Sequence, residues 1–226
     1  MSDDESTSKP TSPLTKFVGA ELDVIWDSRL CTKQGECVRA EGELFMSGRK
    51  PWCQPDLGGQ GAAVREVTSR CPSGALVALR KNGKELEQAP SPLNQVVVAP
   101  NGPFFVTGQL EIQGATPDML GVKRRAALCR CGHSKNKPFC DGSHVDAGFR
   151  DSGAVGRAGG SVHDEGPLGV KPAPDGPLRL AGPFELIAGS GRRAFRASAA
   201  ALCRCGASKA KPFCDGSHKA IGFRAD

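Results

Sequence analysis

Two stretches decide how this chain is built: Cys129–His144, CRCGHSKNKPFCDGSH, and Cys203–His218, CRCGASKAKPFCDGSH. They begin 74 residues apart, and a shift of that size lays 96–150 on 170–224 without a gap, with 27 of 55 positions identical. The chain therefore carries two copies of one small module. Outside the two stretches the copies share APNGP (Ala99–Pro103) against APDGP (Ala173–Pro177), then Gly108 and Glu111 against Gly182 and Glu185. Asn101-Gly102 and Asp175-Gly176 are hairpin turn signals, and Val96–Val98, Phe104–Val106 and Leu110–Ile112 read as short strands. Each copy is a small β unit leading into a Cys-rich loop.

Both loops present one donor set in the order C-x-C-x8-C-x3-H: Cys129, Cys131, Cys140 and His144, then Cys203, Cys205, Cys214 and His218. Residues two apart in an extended loop can turn toward one metal. Cys140 and His144, four apart, share a face if Asp141-Gly142 opens a helical turn, with Asp141 and Asp215 as N-caps. The polar loop, with Ser134, Lys135 and Lys137, is a poor setting for cysteines packed as small hydrophobes. Two occupants remain on chemistry alone, zinc and an iron-sulfur cluster, since both accept thiolate and imidazole. His133 becomes Ala207 in the second copy, so the module does not need it, and His163 reads as a solvated side chain.

Composition agrees with small modules. Of 226 residues 38% are apolar, 29 are Gly and 17 Pro, and the apolar runs are brief, such as Ala75–Leu79 and Val96–Ala99. No run approaches the roughly 20 apolar residues of a membrane-spanning helix, and the start MSDDESTSKP lacks the basic-then-apolar order of a signal peptide. The expectation is an intracellular, cytoplasmic protein, whose ten cysteines then serve as metal ligands or redox centres rather than a disulfide framework. By composition the chain divides into a disordered tail (1–15), an N-terminal domain (16–95), the first repeat (96–150), a flexible Gly-rich linker (151–169) and the second repeat (170–226).

The N-terminal domain reads differently. Leu22, Val24 and Trp26 alternate as in a strand, Ala63, Val64 and Val67 suit a short helix, and Asn82-Gly83 turns a hairpin after Leu76–Leu79. Cys31, Cys37 and Cys71-Pro72 give C-x5-C followed by C-P, a ferredoxin-type run with Gln34 in place of the middle Cys. Three thiolates suit a 3Fe-4S cluster. Cys53, beside Trp52, is either a fourth ligand giving 4Fe-4S, a buried thiol or a reactive one, and loss of the cluster altogether is the remaining alternative.

The full pattern C-x-C-x2-S-x3-P-x-C-D-G-S-H, with Ser134, Pro138 and Asp141–His144 in one copy and Ser208, Pro212 and Asp215–His218 in the other, resembles the CDGSH iron-sulfur (NEET) family without departure. That resemblance implies a 2Fe-2S cluster in each loop, the C-x-C pair on one iron and the later Cys and His on the other. It also implies an internal pseudo-dimer of the two repeats with a β-cap, and so a monomeric chain. Residues 20–80 are similar to the divergent mono-cluster ferredoxin domain through RKPWCQP (Arg49–Pro55) and RCPSGAL (Arg70–Leu76). The fold class implied is α+β, built from small β-rich modules: a ferredoxin-like domain, then two CDGSH repeats.

No G-x-S-x-G, Walker loop or dinucleotide fingerprint is present, so an enzyme is not expected. The leading expectation is a multi-cluster electron carrier. Neutral imidazole in place of a thiolate raises a cluster's potential and gives it a protonatable ligand, which keeps cluster storage, transfer and redox or pH sensing open as alternatives. A zinc-stabilised interaction module is the third reading. The net charge is +6, and Lys123–Lys137 and Arg192–Lys211 each hold six basic residues and no acid. Such loops suit an acidic redox partner or an apo iron-sulfur acceptor. Only Phe195 interleaves with the basic residues, which argues against nucleic acid.

Overall fold

Alternating apolar residues build the first sheet. β1 (Leu14–Val18), β2 (Leu22–Asp27) and β3 (Leu76–Arg80) pair antiparallel in that order in the computed structural model, which describes residues 12–59, 61–86, 93–156 and 165–225. The helix expected around Val64 is α1 (Gly61–Ser69), whose Val64 and Val67 join Phe17, Leu22, Val24, Phe45 and Leu76 in one buried cluster. Trp52 meets the rings of Phe17, Trp26 and Phe45 at centroid distances of 5.3, 5.7 and 5.3 Å. The tail expected over 1–15 needs correction at its end. Leu14 and Thr15 pair with Asp27 and Trp26 because Phe17 needs a strand to carry it into the core, and residues 1–11 lie outside the described residues.

The repeats share the second sheet. Its strands are β4 (Gln95–Val98), β5 (Phe104–Thr107), β6 (Leu110–Ile112), β7 (Arg125–Leu128), β8 (Leu168–Pro172), β9 (Leu178–Ile187) and β10 (Arg193–Leu202). They run in the order β6-β8-β9-β4-β5-β7, with β10 also on β9. Both turn signals work as read: Asn101 and Asp175 take φ of 51° and 46°, a conformation Asn and Asp tolerate. Two parallel ladders cross between copies, Gln95↔Glu185 with Val96↔Leu186, and Glu111↔Gly169 with Ile112↔Val170. Under the 74-residue shift Gln95 becomes Gly169 and Glu111 becomes Glu185, so each ladder is the other viewed from the opposite copy.

This shared sheet buries Val96, Val98, Phe104, Val106, Leu168, Val170, Phe184 and Leu186 in a single cluster. Full burial of such a side chain stabilises by about 1.5–3 kcal/mol, and both copies contribute side chains to this one cluster. Leu30 and Ala75 of the N-terminal part enter the same cluster.

The linker expectation is corrected at both ends. Residues 157–164 lie outside the described residues, but Val155 is buried, the Gly189 amide donates to the Gly153 carbonyl at 2.9 Å, and β8 already begins at Leu168. Gly-rich composition concealed these anchors, which depend on partners far away in sequence. Among the described residues no helix is long and apolar enough to cross a membrane.

Candidate metal centres

Each Cys-rich loop closes like a hairpin beyond the strand that feeds it. The Cys129 amide donates to the Pro138 carbonyl and the Cys140 amide to that of Ala127, both at 2.8 Å, which sets Cys129 beside Cys140. The second loop repeats this, Cys203 to Pro212 at 2.8 Å and Cys214 to Ala201 at 2.9 Å. The remaining motif residues shape the loop. Ser134 Oγ donates to the Phe139 carbonyl (2.6 Å) and Asp141 Oδ2 accepts the Lys135 amide (2.8 Å); Ser208 and Asp215 do the same for Phe213 (2.7 Å) and Lys209 (2.8 Å).

The expected helical turn after the third Cys forms, with one correction. In the second copy it is α2 (Ser217–Ala220), capped by Gly216 at φ 90° rather than by Asp215. Asp215 Oδ1 instead accepts the Ser217 amide from one residue earlier, at 2.9 Å, as Asp141 does for Ser143 at 3.0 Å. A left-handed bend is needed to bring the His back beside the Cys, and glycine accommodates it without strain.

The donors meet in pairs. Cys129 Sγ and Cys131 Sγ are 3.9 Å apart, Cys203 Sγ and Cys205 Sγ 3.8 Å, and both Cys140–His144 and Cys214–His218 bring Sγ to 3.4 Å from Nδ1. For tetrahedral coordination with bonds of about 2.3 Å to sulfur and 2.0–2.1 Å to nitrogen, neighbouring donors sit roughly 3.8 Å (S, S) and 3.6 Å (S, N) apart. Every pair is thus spaced as two corners around one metal atom. Among the described residues, no three His, Cys, Asp or Glu side chains gather about a single metal position. Each loop thus presents its four donors as two close pairs.

Electrostatics differentiates the thiols of the metal-free chain. Cys129 and the His133 amide both donate to Cys131, holding its thiol down at about 7, while the Cys129 thiol rises through that same bond and through burial. Burial pushes Cys140 up to about 12 and Cys203 to about 11. His144 is lowered, chiefly by burial, which favours the neutral imidazole a metal requires. Metal binding must expel protons from the raised thiols.

In the N-terminal part, Cys31, Cys37 and Cys71 line one cavity of about 280 Å³ together with Gln34, Trp26 and Trp52. Cys37 is raised by burial first and then by the neighbouring Cys71 and Cys31. Cys53 does not line that cavity. It is buried opposite Phe45, and burial pushes its thiol up to about 12.

The family models agree with this layout. The iron-binding zinc finger of CDGSH type matches residues 101–145 and 175–219, and the divergent 4Fe-4S mono-cluster domain matches 17–81. The chain is a tandem CDGSH iron-sulfur protein. It is also similar to the uncharacterized protein YjdI of Escherichia coli K12 and to that of strain O157:H7, each 43% identical over 60 residues covering 26% of this chain and 78% of the relative. No solved structure matches it.

Sequence reading missed the arginine inside each C-R-C of this CDGSH protein. Arg130 is 1% exposed, donating to the carbonyls of Gly102 (2.8 Å) and Ala99 (2.6 Å) and pairing with Asp151. Arg204, also 1% exposed, donates to the carbonyls of Gly176 (2.9 Å) and Ala173 (2.6 Å). Each guanidinium thus ties the Cys pair to its copy's own turn. The available signal was an arginine held between two ligands in both copies.

Proposed function

We propose that this protein is an electron carrier rather than an enzyme, with a 2Fe-2S cluster in each CDGSH repeat and a 3Fe-4S or 4Fe-4S cluster in the N-terminal domain. The observation that carries the reading is the pairing of donors. Two pairs per loop, each spaced for one tetrahedral metal, suit the two irons of a binuclear centre. A bound cluster supplies one-electron redox chemistry. The chain's share is to hold the ligands and temper their charge: the His133 amide donates to Cys131 Sγ and the Gly142 amide to Cys140 Sγ, both at 3.4 Å.

The exchanged ladders and the Cys131↔Cys205 bridge support an internal pseudo-dimer, and with it a monomeric chain. In the N-terminal cavity, three thiols with Gln34 at the middle position support a three-thiolate cluster without Cys53. Lys209, Lys219 and Arg224 are exposed around the second loop and suit an acidic redox partner in the cytoplasm. Partial exposure of Cys205, Cys214 and His218 favours a second reading, delivery of the cluster to an apo acceptor.

Reductive titration followed by EPR and visible absorbance separates the two. Reversible one-electron reduction with the absorbance retained supports the carrier. Loss of absorbance matched by its gain on an apo-ferredoxin supports delivery.

A further inference from the structure

The two CDGSH sites are alike in sequence and unlike in surroundings. Cys129, Cys131, Cys140 and His144 are all buried, at 1, 5, 3 and 7% exposure. In the second loop only Cys203 is buried, while Cys205, Cys214 and His218 are partly exposed. The difference lies in what covers each loop. Asn136 Nδ2 donates to the Arg29 carbonyl at 2.7 Å, fastening the first loop to the N-terminal domain, and a methyl group added at Gly142 would meet the Thr32 carbonyl at 3.8 Å. Leu30, between them, is 1% exposed in the main core. The second loop has Ala210 at the position of Asn136, exposed, and Gly216 opens onto empty space.

Resting on the function proposed above, we infer that the N-terminal segment Arg29–Thr32 is a cover over the first CDGSH site, so that the second site is the one through which the chain exchanges with solvent, chelators and partners. Opening the first site requires the cover to lift, a local transition that costs the Asn136 bond and the burial around Leu30. Among the described residues nothing comparable guards the second. Asn136 is therefore a positioning residue that sets accessibility without touching a ligand.

The test uses the full-length loaded protein in two variants, His144→Cys to follow the second site and His218→Cys to follow the first, so that the rates compared are always those of the site that keeps its His while the other's visible band is shifted away. On mixing with a ferrous chelator under dithionite, the second site should lose its absorbance faster than the first. Asn136→Ala should speed the first site about fivefold, the effect of one lost hydrogen bond on an opening equilibrium, and leave the second unchanged. Ala210 in the second copy shows that the module accepts alanine there. Two loaded sites with equal rates, or an Asn136→Ala variant with an unaltered first site, overturn the cover. Absence of iron and sulfide from both repeats overturns the proposed function itself.

Discussion

Cys131 and Cys205 face each other in an antiparallel bridge that joins the two ligand loops at equivalent positions. The 74-residue shift turns one into the other, so the two loops meet at the same position of the motif. Gly132 and Gly206 make this approach possible: an added methyl at Gly132 would lie 2.7 Å from the Cys205 carbonyl oxygen, and one at Gly206 would lie 2.6 Å from that of Cys131.

Gly132→Ala should therefore cost more than a simple left-handed glycine substitution. The φ of 88° alone costs about 1–2 kcal/mol with a side chain, and the backbone clash adds to it. Gly191, at φ 82° with open space around it, provides the comparison. Denaturant unfolding should show Gly132→Ala losing clearly more stability than Gly191→Ala, and equal losses would contradict the close approach.

Asp151→Ala should destabilise the first repeat by about 3 kcal/mol, since it removes the carboxylate paired with a buried guanidinium and leaves that charge only its carbonyl partners. The second repeat has Ala225 at this position, and Arg204 takes the Ala225 carbonyl at 3.3 Å instead. A calorimetric scan in which Asp151→Ala melts like the parent chain would remove Asp151 from this role.

Much of this was readable from sequence because it is local. The turn at Asn101-Gly102 announces β4 and β5, and the spacing of Cys and His announces the donor pairs. The ladders between copies were not readable, since Val96 and Leu186 carry no pairing code beyond being apolar. Nor was the fusion of strands in the second copy: β9 runs through positions where the first copy has separate β5 and β6, because β10 pairs with it along its length. The Asn136–Arg29 contact had a sequence trace, Asn against Ala210, but that difference gains meaning only once the N-terminal domain is seen lying over it.

Acid should weaken the N-terminal sheet through Asp23. Hydrogen bonds from Lys16 (2.8 Å) and then Lys81 (2.5 Å) hold its carboxyl below the usual range. With the folded value depressed, the stabilisation is complete above the unfolded value of about 3.9 and is lost as pH falls through the folded one. Asp23→Asn should flatten that limb of the stability curve, measured by urea midpoints at successive pH values. A limb of unchanged slope would assign acid sensitivity elsewhere.

On the proposed function, Cys31, Cys37 and Cys71, which line the N-terminal cavity, hold its cluster and Cys53 does not. Cys31→Ala, Cys37→Ala and Cys71→Ala should each abolish that site's iron. Cys53→Ser should keep the iron and cost roughly 1–3 kcal/mol for a buried hydroxyl. Iron loss in Cys53→Ser would make it a ligand after all.

On the proposed function, each CDGSH repeat holds one binuclear cluster on two donor pairs. Iron and acid-labile sulfide counted in the Cys31→Ala chain, freed of its N-terminal cluster, test it most directly. About four iron and four sulfide per chain are expected, two of each in either repeat. Zinc in their place, or iron without sulfide, would contradict it.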